Sequence, residues 1–80
     1  MALSYQTKII KKYEKDGWFV INLIKTNKNG IADLLCIKEG QKPLFIECKE
    51  KHDTLKPLQK YMLKLVKKYG AYSFCSKDGE

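Results

Sequence analysis

Glu47 and Lys49 stand in an otherwise apolar run, Phe45-Ile46-Glu47-Cys48-Lys49, with one residue between them. Alternate residues of a β-strand project to the same face, so the acid and the base share one face and Cys48 turns to the other. Placing ionised groups in a small core is costly unless something compensates their charge. A divalent cation and a phosphate together would do so. Asp33 supplies a second carboxylate. If Glu39-Gly40-Gln41 forms a three-residue hairpin loop, Lys38 faces Lys42, and counting back along both strands brings Asp33 opposite Glu47. Directly opposed residues share a face, with Cβ atoms about 4.5–5.5 Å apart. Carboxylates that close repel unless a cation lies between them. A Mg²⁺-type ion takes oxygen ligands, commonly one or two carboxylates with water and phosphate oxygens, and the Cys48 carbonyl could add another. Lys49 could orient or help deprotonate an attacking water, or stabilise charge on a phosphorane-like transition state.

The elements that must position these residues follow from periodicity. Ser4 can cap a helix whose apolar stripe is Tyr5, Ile9, Ile10 and Tyr13, ending at Asp16-Gly17. Trp18 to Ile24 is rich in aromatic and β-branched residues and predicts a strand. Lys25 to Gly30 is a polar loop, Ile31 to Lys38 a second strand, and Pro43 to Lys49 a third with Pro at its start. After the charged connection Glu50 to Lys56, Pro57 suits the first turn of a helix. Leu58, Met62, Leu65, Val66 and Tyr69 form its stripe, and Gly70 closes it. Ala71 to Cys75 predicts a last strand and Ser76 to Glu80 a polar tail. The order α-β-β-β-α-β predicts an α/β fold, one mixed sheet with flanking helices, in a single domain over residues 1–80.

Composition narrows the partners. The formal charge is +7, which favours a polyanion, nucleic acid above all. All sixteen basic residues are Lys. Arg is the usual bidentate reader of guanine edges, whereas Lys binds phosphate as a point charge, so backbone and shape should count for more than base sequence. Cys36, Cys48 and Cys75 lack CxxC spacing and sit in apolar runs, which argues against a zinc site or a disulfide framework and for a reducing, cytoplasmic setting. No apolar run has the length of a signal peptide or a membrane span.

Gln59 is a further anomaly, an amide on an apolar stripe, either satisfied within the core or reaching the carboxylates or a phosphate. Gln6 flanks the first stripe in the same way. Gln6, Lys25, Lys28, Lys51 and Lys56 are candidate nucleic-acid contacts, with a solvated surface as the alternative.

Gly30-Ile31-Ala32-Asp33-Leu34-Leu35, Phe45-Ile46-Glu47-Cys48-Lys49, Leu55-Lys56-Pro57-Leu58-Gln59 and Tyr69-Gly70-Ala71 together resemble the VRR-type nuclease (VRR-NUC) family of the PD-(D/E)XK superfamily. The resemblance spans nearly the whole chain. It implies a restriction-endonuclease-like core and Mg²⁺- or Mn²⁺-dependent hydrolysis of DNA phosphodiester bonds. It carries metal binding onto Asp33, Glu47 and the Cys48 carbonyl, and catalytic roles onto Lys49 and Gln59. Three positions depart from the family pattern. Ala32 stands where Pro often precedes the Asp, Lys56 where Ser or Thr precedes the helix Pro, and Gln6 where a Glu often supports the metal site. Stand-alone members resemble phage or mobile-element enzymes, some similar to Holliday-junction resolvases. A homodimer cutting branched or flapped DNA is therefore expected. The alternatives are a catalytically weak or inactive nucleic-acid-binding module on the same fold, and a small structural protein whose charge neutralises RNA.

Overall fold

The structure is a computed structural model that describes residues 3–79. Met1, Ala2 and Glu80, the ends of the expected domain, lie outside the described residues. The elements run α1 (Tyr5–Lys15), β1 (Phe19–Asn22), β2 (Leu34–Ile37), β3 (Leu44–Lys49), α2 (Pro57–Lys68) and β4 (Tyr72–Lys77). This is the expected α-β-β-β-α-β order. The four strands form one mixed sheet in the order β1-β2-β3-β4, with β1, β2 and β3 antiparallel in turn and β4 parallel to β3.

Local signals in the sequence set the helix ends. The Ser4 hydroxyl accepts the Thr7 N–H at 3.2 Å, the side-chain cap that satisfies one of the orphan donors of α1. At the start of α2 the Lys56 side chain makes no cap hydrogen bond. The Gln59 carbonyl oxygen instead accepts the Lys56 N–H at 2.9 Å, the reciprocal half of a capping box. Gly70, at φ 101°, ends α2, and the Ala71 N–H reaches back to the Val66 carbonyl at 3.0 Å.

The two faces of the sheet carry different helices. On one, Ile9 of α1 packs into a fully apolar cluster with Leu34, Cys36 and Ile46, bordered by Tyr5, Ile10, Tyr13, Trp18, Val20, Leu44 and Cys48. On the other, α2 lies against β4, pinned where the Ser73 hydroxyl donates to the Leu63 carbonyl at 2.6 Å. The expected stripe of α2 is covered only at its centre. Met62 is buried, while Leu58 and Tyr69 are 49% and 83% exposed. Beyond the end of α2, Leu35, Ile37, Phe45, Val66 and Tyr69 line an open apolar groove of about 380 Å³.

Strand ends differ from expectation where tertiary contacts intervene. β2 begins at Leu34 rather than Ile31, because β1 pairs only as far as Asn22↔Leu34 and the ladder closes with the Leu23 N–H on the Asp33 carbonyl. Just before this segment Gly30 lies against α2, where a side chain at that position would meet the Leu58 Cγ at 2.6 Å. Gly30 sits at φ 79°, so both its backbone and its surroundings require glycine. At the other end, Ser76 and Lys77 belong to β4 and not to a tail. The Tyr5 hydroxyl meets the Ser76 hydroxyl at 2.6 Å, and the Asp78 N–H donates to the Lys49 carbonyl at 2.9 Å. Cys36, Cys48 and Cys75 form no disulfide. Among the described residues no helix is long and apolar enough to cross a membrane.

Candidate active site

Asp33 and Glu47 meet where the β2–β3 ladder runs out. The hairpin pairs Cys36 with Leu44 and Leu34 with Ile46, so the next position back sets Asp33 against Glu47. This is the register a three-residue loop predicts. The loop is a turn in which the Gln41 N–H donates to the Lys38 carbonyl at 3.0 Å, with Gly40 at φ 77°. Because β2 has left the ladder at this point, the Cys48 N–H has no strand partner and donates to the Asp33 Oδ2 at 2.8 Å. Carbonyls alternate sides along a strand. The Lys49 carbonyl is taken by Asp78 on the β4 side, so the Cys48 carbonyl turns toward Asp33.

Glu47 and Lys49 are almost completely enclosed, at 2% and 6% exposure. Burial is the main cause that pushes the Glu47 carboxyl up to about 8, and the hydrogen bond that its protonated form donates to Asp33, with the negative charge of Asp33, adds to it. Lys49 works in the opposite direction. Glu47 therefore favours its protonated form at neutral pH unless another cation enters. Lys49 Nζ lies 3.8 Å from Asp53 Oδ2, an exposed carboxylate of the following loop. The Cys48 thiol is pushed up to about 12, first by burial and then by Asp33 and Glu47. It stays protonated on the α1 face, so only its backbone is available to the carboxylates.

The other candidates are more dispersed. Gln59 is half-buried at the start of α2 and engages the Lys56 backbone. It makes no hydrogen bond to Asp33 or Glu47 among the described residues. Gln6 donates to the Asn22 side chain at 3.0 Å, tying α1 to β1 rather than to the carboxylates. Lys25, Lys28, Lys51 and Lys56 are exposed. The loop carrying Lys28 is ordered by Thr26, whose hydroxyl donates to the Lys28 carbonyl and accepts its N–H, both at 3.1 Å.

Asp53 was not legible as a partner of Lys49. The only signal was an acid four residues on, and that spacing has geometric meaning on a helix, not in a loop. Among the described residues, no three acidic, His or Cys side chains converge on one point. The oxygen donors at hand are two carboxylates and a carbonyl turned toward them. That set suits a hard divalent cation, which completes its shell with water and phosphate, and it suits zinc poorly.

A four-stranded mixed sheet flanked by two helices, with an acid opposing an E-x-K strand at its frayed end, is the architecture of a PD-(D/E)XK-type nuclease core. The VRR-NUC domain model matches residues 5–75, from the start of α1 into β4, and the chain belongs to that family. It is thus a nuclease-type domain that acts on nucleic acid. No curated protein matches it.

Proposed function

We propose that this domain is a Mg²⁺- or Mn²⁺-dependent DNA endonuclease that hydrolyses phosphodiester bonds in branched or flapped DNA. The observation that carries the proposal is Glu47. A carboxyl 2% exposed, beside a second carboxylate and pushed up to about 8, is an expensive feature for so small a fold. It has a purpose if a cation belongs there.

Asp33, Glu47 and the Cys48 carbonyl would hold the ion. When bound, the ion supplies positive charge to a phosphoryl group and lowers the pKa of a nearby water. The chain's own residues do the rest. The Cys48 N–H fixes Asp33 at 2.8 Å, so one carboxylate oxygen is spoken for and the other is free to turn toward the ion. Lys49, on the same face and steadied by Asp53, places its ammonium group where it orients the attacking water and stabilises charge growing on phosphorus. Water attacks phosphorus directly, so no covalent enzyme intermediate forms. The Gln59 amide N–H₂, on the same side group whose carbonyl closes α2, is the group that would reach a phosphate. Gln6, Lys25, Lys28, Lys51 and Lys56 contribute to the nucleic-acid surface.

The +7 charge carried entirely by Lys supports contact with the DNA backbone and selection by shape. Exposed Phe19, Tyr69 and Tyr72 and the apolar groove beside α2 support a homodimer, in which two sites meet two strands of a branched substrate. Three cysteines outside any disulfide support a reducing, cytoplasmic setting, in a bacterial or phage-infected cell.

Labelled four-way junction, flap and linear duplex, incubated with and without Mg²⁺ or Mn²⁺, test the proposal. Metal-dependent cleavage of a branched substrate that Glu47→Ala abolishes is the expected result. Equal absence of cleavage by both proteins, with binding intact, would sink it. That outcome would favour a binding module with lost or weak chemistry, for which neutral Gln6, committed to Asn22, is the specific observation.

A further inference from the structure

The parallel pairing of β3 with β4 brings a residue to the site that motif and hairpin do not reveal. Glu47 pairs with Cys75 and Lys49 with Lys77. Paired residues on neighbouring strands share a face, and the strands lie about 4.8 Å apart. Ser73, two pairs of alternation before Lys77, faces α2 through its bond to Leu63. Lys77 therefore emerges on the α2 face, beside Lys49 and one step beyond Glu47. Its placement is fixed by the Asp78 N–H on the Lys49 carbonyl, one residue further on.

Two ammonium groups on adjacent strands repel unless each is compensated. Lys49 has Asp53 at 3.8 Å. Lys77 is half-buried and has no carboxylate partner among the described residues. With Lys49 matched by Asp53, Lys77 is an uncompensated positive charge beside the two carboxylates. We propose that Lys77 binds a phosphate of the nucleic-acid backbone next to the reacting phosphodiester, as a second cation of the site alongside Lys49. The inference rests on the nuclease proposal for its position in a reaction, but the contact itself is with a phosphodiester, whether or not that bond is cut.

A point contact with phosphate has a signature distinct from general charge. Each neutralised phosphate adds about 0.9 to the slope of log binding constant against log salt on duplex DNA. Binding of a fluorescent flap DNA, measured by anisotropy across a salt series with Ca²⁺ present, should show a slope lower by roughly that amount for Lys77→Ala, restored by Lys77→Arg. Lys42→Ala removes the same charge at the opposite end of β3 and should leave the slope at the wild-type value. In cleavage with Mg²⁺, Lys77→Ala should raise KM about tenfold and leave kcat within about threefold, the pattern of uniform binding. Thermal melts matching wild type establish that the variants fold. A wild-type slope in Lys77→Ala, or an equal drop in Lys42→Ala, overturns the assignment. If the wild type binds with the full slope but never cleaves, and Lys77→Ala still lowers that slope, the phosphate contact stands and the nuclease proposal falls.

Discussion

Ile46 and Glu47 are neighbours on β3 and almost equally inaccessible, 0% and 2% exposed, yet they are enclosed for opposite reasons. Ile46 faces α1 among Ile9, Leu34 and Cys36, where burial removes apolar surface from water and holds the fold together. Glu47 faces the α2 side beside Asp33, where the same burial works against folding by trapping a carboxyl that prefers water. One strand thus presents a stabilising face and a strained face in alternation. Burial by itself does not report stability. The chemistry of what is buried decides the sign.

The widest separation between the faces comes from substituting the two neighbours. Glu47→Gln should lower metal-dependent cleavage by roughly 10³-fold or more, the equivalent of about 4 kcal/mol of transition-state stabilisation. The same change should leave the metal-free fold as stable as wild type or more so, as read by urea denaturation. Ile46→Ala should reverse the pattern, with a stability loss of about 2–5 kcal/mol and little direct effect on chemistry while the protein stays folded.

A pH titration sharpens the comparison on the strained face alone. The folded Glu47 carboxyl lies at about 8 against an ordinary 4.5, so the folded state binds the proton more tightly than the unfolded chain. Its favourable contribution is complete below 4.5 and is lost as pH rises through that value to about 8. Each unit of displacement corresponds to about 1.4 kcal/mol. Chelated protein should therefore melt at progressively lower temperature across this range. Glu47→Gln should flatten the trend, and added Mg²⁺ should oppose it if Asp33 and Glu47 hold the ion in place of the proton. A melting curve with no pH dependence in chelator would contradict the electrostatic account.

Smaller effects are expected at the residues that frame the two faces. Gly30→Ala forces a positive φ on a side chain and pushes it into Leu58, for a cost of about 1–3 kcal/mol. Leu58→Ala in the same chain should recover the steric share and not the backbone share. Tyr5→Phe, which removes the bond to Ser76 that holds α1 against β4, should cost about 1 kcal/mol and leave cleavage unchanged. Chemical denaturation resolves both.

Much of this arrangement is legible in the sequence. The hairpin register needed only a loop length, because side-chain direction has a period of two and one buried face penalises slippage. Asp33 opposite Glu47 followed from it. The Ser4 cap and the Gly70 stop are local events and were read locally. Contacts set by other elements were not legible. Where β2 starts depends on how far β1 reaches and on the packing of Gly30 against Leu58. The extent of β4, and with it the placement of Lys77, depends on a parallel pairing that crosses through α2. Asp53 reaches Lys49 only because a loop turns back. Gln59 was readable as an anomaly, but its helix-closing bond to Lys56 answers the absence of a capping hydroxyl there.

The turn at Gly40 has a consequence for which alternative fold the chain avoids. A slip of one residue between β2 and β3 would expel Ile46 and Cys48 from the core, and packing forbids it. A slip of two keeps every apolar residue inward, setting Leu34 against Cys48 and Cys36 against Ile46. The core is nearly indifferent to that change. Electrostatics would favour it, since Asp33 would then oppose Lys49 instead of Glu47. That hairpin would be comfortable and inert. What stands against it is the tight turn from Lys38 to Gln41, closed by one backbone hydrogen bond and a glycine at φ 77°. A loop at the far end of the hairpin from Asp33 and Glu47 thereby fixes which charged residues oppose one another. A change in its length would shift the register that sets Asp33 against Glu47.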